Sequence, residues 1–160
     1  MKKTAIFLLI VLNSCGIYSF KGSLPPDVKT IAITVFNDRT SYPNIREILT
    51  NSVVNAFVFD GTLRVVDESK ADLVISGTIQ SIRQTAANVA QGEIVSEYKI
   101  TVSVKVKCEN IKTSKALYDK TFSNYGMMEA TGSPDAYNAA ILVALEQITN
   151  DILNATLAAW

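Results

Sequence analysis

The chain has 160 residues, of which 48% are hydrophobic and 8% aromatic, and its 15 basic residues balance its 15 acidic ones. This composition is typical of one globular domain. The chain lacks the net positive charge that is typical of nucleic-acid-binding proteins. Histidine is absent, which excludes the commonest general base, the Ser-His and Cys-His nucleophile pairs and the usual zinc sites. We therefore expect no enzyme, metal or cofactor, although Ser-Lys and carboxylate chemistries are not excluded.

The N-terminal segment has the pattern of a secretory signal. Two lysines precede the uncharged apolar run from Thr4 to Leu12, which has 9 residues and is followed by small polar residues before Cys15. A run this short cannot span a bilayer, which needs about 20 apolar residues. Its end, Leu12-Asn13-Ser14-Cys15-Gly16, resembles the bacterial lipobox, in which cleavage before the cysteine leaves its sulfur to carry a diacylglyceryl group. We predict a signal peptide over residues 1–14 and a lipid anchor on Cys15, with a buried thiol as the alternative.

Residues 15–27 are rich in glycine, serine and proline and have no sustained period, which predicts a lipidated tether. Loss of the signal leaves 146 residues with 13 basic and 15 acidic side chains, enough for the single domain that we predict over residues 28–160. Cys108 is then the remaining thiol, so no intramolecular disulfide can form.

The domain begins with a predicted strand at residues 28–36, whose buried face carries Ile31, Ile33 and Val35, and a break follows at residues 37–41. An apolar stripe predicts a helix over residues 45–60. We expect Asn44 and Glu47 to form a capping pair at its start and Gly61 to end it.

The next segments predict strands at residues 62–66, 71–79, 98–109 and 115–124. Gly77 within the second of these indicates a bulge or a close backbone approach, and residues 85–91 and 125–132 are predicted to be irregular. Ser133 and Pro134 begin a last helix whose apolar seam runs to the C terminus. The order β-α-β-β-β-β-α predicts an α+β fold with two helices packed on a mostly antiparallel, mixed sheet of about four to five strands.

Three segments together resemble the LptE family of lipopolysaccharide-assembly lipoproteins of Gram-negative bacteria. They are Cys15-Gly16-Ile17-Tyr18-Ser19-Phe20, the stretch Leu24-Pro25-Pro26-Asp27-Val28-Lys29-Thr30-Ile31-Ala32-Ile33, and Ala71-Asp72-Leu73-Val74-Ile75-Ser76-Gly77-Thr78-Ile79. The closing helix that ends on Trp160 adds to the likeness. The resemblance implies a non-enzymatic protein at the periplasmic side of the outer membrane, which plugs the barrel of LptD and assists lipopolysaccharide transport.

Lys99, Lys105 and Lys107 lie on the polar side of one predicted strand, within the most basic part of the chain, residues 99–120. Ammonium groups suit phosphates as point-charge partners, so these lysines are the candidates for contact with lipopolysaccharide. The simpler interpretation is a solvated sheet face kept soluble by its lysines.

Two further groups favour structural roles. Cys108 ends the apolar side of its strand, and we interpret it as a small, buried hydrophobic residue. Asp67, Glu68 and Asp72 cluster at a turn, but their spacing fits no calcium loop, so we interpret them as a solvated turn.

Two other functional classes are open beside the LptE-like one. A different envelope adaptor lipoprotein, such as a cell-wall synthase activator or a secretion-channel component, would share the strand with Gly77. An enzyme is the other class, and the chain shows no nucleophile or phosphate-loop motif that favours it.

Overall fold

A computed structural model describes residues 27–90 and 94–158. In chain order the elements are β1 (Thr30–Ile33), β2 (Asn37–Asp38), α1 (Ile45–Asp60), β3 (Arg64–Val65), a 3₁₀ turn (Glu68–Lys70), β4 (Leu73–Ala90), β5 (Ile94–Asn110), β6 (Lys115–Glu129) and α2 (Pro134–Leu157). The α+β class is confirmed. The predicted signal peptide and Cys15 lie outside the described residues.

The strands form one mixed sheet in the order β3-β1-β4-β5-β6, and β2 pairs with β4. β1 runs parallel to both of its neighbours, because α1 crosses over the sheet between β1 and β3. The long strands β4, β5 and β6 pair antiparallel through consecutive hairpins. The strand beyond the predicted four to five is β2, which forms where we expected only a break.

One face of the sheet is covered by the two helices, and the hydrophobic core lies between these layers. From β5 the core takes a run of fully buried alternate residues, Ile100, Val102, Val104, Val106 and Cys108. The helices contribute Ile45, Leu49, Val53 and Phe57 from α1 and Ile141, Leu145, Ile148 and Ile152 from α2. The predicted apolar sides of β5 and of both helices are therefore confirmed. None of the described helices lies over the other sheet face, and we call it the open face.

Two glycines allow close contacts on the covered face. A Cβ at Gly77 would lie 2.5 Å from a ring carbon of Phe36, so the close approach predicted at this residue is confirmed. A Cβ at Gly126 in β6 would collide with the backbone of Ala140 in α2. Gly126 therefore sets how closely α2 packs on β6.

The start of α1 differs from the prediction. Asn44 does occupy the N-cap position, but it has a φ of 57° and its side chain makes no capping hydrogen bond. Glu47 instead accepts a hydrogen bond from Arg46 at 2.6 Å, so the predicted capping pair is wrong. The predicted end is confirmed, because Gly61 adopts a φ of 71° and donates to the carbonyl of Phe57.

Both segments predicted to be irregular contain strand. β4 continues to Ala90, and β6 continues to Glu129. Register shifts near Ile79, Ala86 and Asn88 break the alternation of apolar side chains in β4 without ending its pairing with β5. The predicted burial of Val35 is wrong, since β1 ends at Ile33 and the Val35 side chain is exposed.

Candidate functional site on the open face of the sheet

The three lysines predicted to contact phosphates lie on the open face along β5. In the sheet register Lys107 is opposite Ser76 of β4 and Asp119 of β6, and Lys105 is opposite Thr78 and Thr121. The two lysines border a shallow cavity of about 230 Å³ together with Ser76, Thr78, Asp119 and Asn37, the first residue of β2. The structure thus brings Lys105 and Lys107 together at one place, and Lys99 lies further along the strand.

Both lysines at this cavity form ion pairs with carboxylates. The ammonium of Lys107 donates to Glu109 at 2.6 Å, and this pairing raises the pKa of Lys107 above its ordinary value. Lys105 forms a longer ion pair with Asp119, at 3.4 Å. The two positive charges are therefore offset by two negative ones, which weakens this part of the open face as an anion site.

Lys99 has a different environment. Its Nζ lies 4.0 Å from the centre of the Tyr125 ring, which is a cation–π contact. Arg83 of β4 is opposite Thr101, on the same face and diagonal to Lys99. Lys99 and Arg83 are neighbouring cations on the open face, and Glu97 and Glu129, which are opposite each other in the register, follow them along the sheet.

The sequence analysis missed Arg83, because strict alternation from Ile75 and Ile79 would place it among the apolar side chains. The register shift between Ile79 and Ser81 moves Arg83 to the open face and turns Ile82 toward the core. A bulge of one residue could have been suspected from Ile82 itself, an apolar residue out of phase with Ile79.

The other lysines of residues 99–120 do not join this surface. Lys120 lies over the rings of Phe122 and Tyr118, at 4.7 and 5.5 Å from their centres, and those two side chains pack against the core. Lys112 pairs with Asp72 at 2.6 Å. The basic part of the chain is therefore divided among separate places in the fold.

Asp72 is a buried anchor rather than part of a solvated turn, which corrects the prediction. Its side chain accepts hydrogen bonds from the backbone N–H groups of Lys29 and Thr30 and from the Thr30 hydroxyl, at 2.8–3.0 Å. The Lys112 ammonium, followed by these hydrogen bonds, holds the pKa of the Asp72 carboxyl well below its usual range. Asp72 thereby ties the start of β1 to the start of β4 and to the turn between β5 and β6.

The thiol of Cys108 is fully buried, and burial raises its pKa to about 12. Its predicted place on the apolar side of β5 is confirmed, and such a thiol is a poor nucleophile at neutral pH. Within residues 27–90 and 94–158, no three cysteine or carboxylate side chains are grouped so that they could hold a metal ion. In the same ranges no helix is long and apolar enough to cross a membrane.

Comparison with solved structures shows the fold in other bacterial proteins. Protein XCC0632 of Xanthomonas campestris has 16% sequence identity and a TM-score of 0.62, with 86% of this chain and 91% of that one covered. Protein CT253 of Chlamydia trachomatis has 12% identity and a TM-score of 0.64, with 82% and 97% covered. A minor lipoprotein of Acinetobacter baumannii has 9% identity and a TM-score of 0.55, with 81% and 93% covered. At such identities the likeness shows the fold alone.

No curated protein matches the sequence significantly. The sequence profile of the LptE family, described as lipopolysaccharide-assembly, matches residues 28–156. This match spans every helix and every strand of the domain, from the residues before β1 to the last turn of α2. The chain therefore belongs to the LptE family of lipopolysaccharide-assembly lipoproteins.

Proposed function

We propose that this protein is an outer-membrane lipoprotein, facing the periplasm and anchored through Cys15, that partners and plugs an LptD-like β-barrel during lipopolysaccharide assembly. The observation that carries the proposal is the family match over residues 28–156. The role is non-enzymatic: the domain positions a partner and a lipid rather than reacting with a substrate.

The direct test is affinity purification of the lipid-anchored protein from envelopes solubilised in mild detergent, followed by identification of the proteins that remain bound. We expect a stoichiometric outer-membrane barrel of the LptD type. Recovery of a cell-wall synthase or a secretion channel instead would replace the proposal with the adaptor alternative. The shared fold does not separate these two outcomes, and the family match favours the first.

The anchor has its own test, because it depends on one residue. We expect the mature N terminus to be Cys15 carrying acyl chains, which mass spectrometry of the purified protein detects. Several acyl chains hold a protein on a membrane, whereas one chain does so only marginally. The variant Cys15→Ser should lose the acyl mass and leave the membrane fraction, and a membrane-bound Cys15→Ser protein would contradict the assignment.

For lipopolysaccharide contact we propose the open face, with Lys99, Lys105 and Lys107 as its cationic side chains and Arg83 beside Lys99. The lysines lie on one strand, and the register fixes their spacing along it. Phosphates of the lipid A and core regions match these groups as ionic partners. Charge reversal at both Lys105 and Lys107 should weaken binding of purified lipopolysaccharide, and unchanged binding would remove these two residues from the proposal.

A further inference from the structure

A groove lies between the two helices on their solvent side, away from the sheet. Its volume is about 620 Å³. The apolar side chains that line it are Ile48, Ala56 and Phe59 of α1 and Leu142 and Leu145 of α2. The cavity on the open face of the sheet is on the opposite side of the molecule and shares no residue with this groove.

The groove leaves large apolar side chains in solvent. Phe59 is 95% exposed and Leu142 is 49% exposed, and Val58 beside Phe59 is also exposed. A contiguous exposed apolar patch on a folded domain marks a site that something covers.

A buried polar atom also points to a missing partner. Thr149 lines the groove and is only 5% exposed, yet its hydroxyl has no hydrogen-bond partner in the part of the chain that the structure describes. Buried hydroxyls in native structures are almost always paired, because an unpaired one has lost its hydration without compensation. Rotation of the Thr149 side chain toward the groove would let this hydroxyl pair with a polar group of an occupant.

The charge around the groove selects among occupants. α2 has three acidic residues and no basic one, and Glu146 is the charged side chain that lines the groove. α1 adds Glu47 and Asp60 against Arg46. A second copy that used the same helix layer, or an anionic lipid surface, would bring like charges together, whereas an apolar segment with a cation is complementary.

The chain itself contains such a segment outside the described residues. Residues 16–21 read Gly-Ile-Tyr-Ser-Phe-Lys, with three large apolar or aromatic side chains, one hydroxyl-bearing ring and one cation. From Tyr18 to Asp27 the chain can cross about 30 Å, roughly the diameter of a domain of this size.

The described chain also begins at the correct end of the molecule. The carbonyl of Asp27 accepts from Lys112 at 3.4 Å, and the carbonyl of Lys29 accepts from the Arg64 N–H at 3.0 Å. Arg64 follows the end of α1 by four residues. Asp27 therefore lies at the end of the sheet where α1 finishes and where Phe59 is exposed.

We propose that residues 16–21 dock in the groove between α1 and α2, with Ile17, Tyr18 and Phe20 against its apolar walls and Lys21 near Glu146. Docking would fix Cys15 beside the helix layer and direct the open face of the sheet away from the anchor. The inference concerns the orientation of the domain on its tether. It depends neither on the proposed barrel partner nor on the proposed contact with lipopolysaccharide.

Disulfide trapping in the full chain, expressed in its cell envelope, tests this placement. One variant combines Ser19→Cys with Asn55→Cys, an exposed position that lines the groove. The matched control combines Ser19→Cys with Thr121→Cys, an exposed position of β6 on the open face. Mild oxidation followed by mass spectrometry of the digested protein measures each intramolecular disulfide, and buried Cys108 does not compete.

We expect the groove pair to form at least ten times more intramolecular disulfide than the control pair. Adding Phe59→Ser, or Leu142→Ser as a second exposed change, should lower the groove yield several-fold. Equal yields for the two pairs would overturn the proposal, as would a groove yield that neither serine variant changes. Disulfides at Asn55→Cys that join two copies or another protein would overturn it in favour of that occupant.

Discussion

Asp72 is a buried carboxylate, with only 9% of the residue exposed, and it joins three parts of the chain that are far apart in sequence. Its carboxylate receives two backbone N–H groups, the Thr30 hydroxyl and the Lys112 ammonium. A buried carboxylate is tolerated only when such donors replace its lost hydration. Here the donors come from the start of β1 and from the hairpin between β5 and β6, so the site stabilises the sheet where its parallel and antiparallel parts meet.

We predict that Asp72→Asn lowers the free energy of unfolding by about 2 kcal/mol, because it replaces a charged acceptor of several hydrogen bonds with a neutral one. Urea unfolding at pH 7 measures the change. Asp67→Asn is the matched control, since Asp67 makes no side-chain capping bond at the 3₁₀ turn and should change stability by less than about 0.5 kcal/mol. Equal losses in the two variants would contradict the role of Asp72.

The same variant gives a pH prediction. The folded pKa of Asp72 is lowered, so its stabilising contribution is complete above the ordinary aspartate pKa of about 3.9 and is lost as the pH falls toward the folded value. The stability difference between the wild type and Asp72→Asn should therefore be constant from pH 7 to about pH 5 and shrink below pH 4. Urea unfolding at several pH values measures it, and a difference that grows on acidification would contradict this sign.

The ion pairs on the open face predict which of its lysines contributes more to lipopolysaccharide binding. Lys107 is already neutralised by Glu109 at 2.6 Å, whereas the contact of the Lys99 ammonium within the described residues is with the Tyr125 ring. We expect Lys99→Glu to weaken lipopolysaccharide binding more than Lys107→Glu, by about threefold to tenfold. Binding of purified lipopolysaccharide at low and high salt measures this order, with Lys70→Glu on the 3₁₀ turn as the control for net charge. A larger effect of Lys107→Glu would contradict the order.

The packing of α2 on β6 depends on the absence of one side chain. Gly126→Ala would place a methyl group against the backbone of Ala140, which cannot move without shifting the helix. We predict a loss of about 1–3 kcal/mol, the usual range for overpacking. At Gly61 the Cβ would meet open space, so Gly61→Ala should cost only about 1 kcal/mol for its left-handed backbone. Denaturant unfolding compares the two, and a smaller loss for Gly126→Ala would contradict the steric argument.

The elements that could be predicted from sequence are those with a sustained period. The alternation of β5 and the seams of both helices identified the large buried apolar side chains of those elements. They missed small and polar buried residues such as Ala144 and Thr149, and Thr50 is buried although the stripe places it on the polar side of α1. Prediction was poorer where the backbone departs from regular geometry. The register shifts in β4 hide its continuation to Ala90, and the left-handed Asn44 removes a capping bond that the residue type suggests.

The candidate site was predicted only in part, because its character depends on contacts across strands. Sequence places Lys99, Lys105 and Lys107 on one face, but it does not show that Asp119 lies opposite Lys107 and forms an ion pair with Lys105. Nor does it bring Arg83 to the same face, since that requires the bulge after Ile79. The role of Asp72 depends on partners about 40 residues away along the chain in both directions.

For the whole molecule, a net charge of zero conceals an uneven distribution. The helix layer is acidic, since α2 carries no basic residue, whereas the open face carries both cations and carboxylates along β4, β5 and β6. An anionic partner is therefore disfavoured on the helix layer and finds its cationic contacts on the open face. This division is consistent with the tether on the helix side and an anionic lipid on the sheet side, as we propose.

Cys108 offers a measurement of how the whole domain opens. Its thiol is fully buried beneath the helices, and burial raises its pKa to about 12. Labelling by a thiol reagent therefore requires an opening that separates the helices from the sheet, and its rate should follow the free energy of global unfolding. Since each 1.4 kcal/mol changes an equilibrium tenfold, we predict that Asp72→Asn speeds labelling about 30-fold.

Gly126→Ala should speed Cys108 labelling in proportion to its own loss of stability, while the control Asp67→Asn should leave the rate within about threefold. Labelling followed by mass spectrometry at neutral pH measures all three variants against the wild type. If Asp72→Asn lost stability in urea without faster labelling, the thiol would be reached by a local opening of α2 over β5. The domain would then open in parts, and the sheet held by Asp72 would remain intact while the helix layer moved.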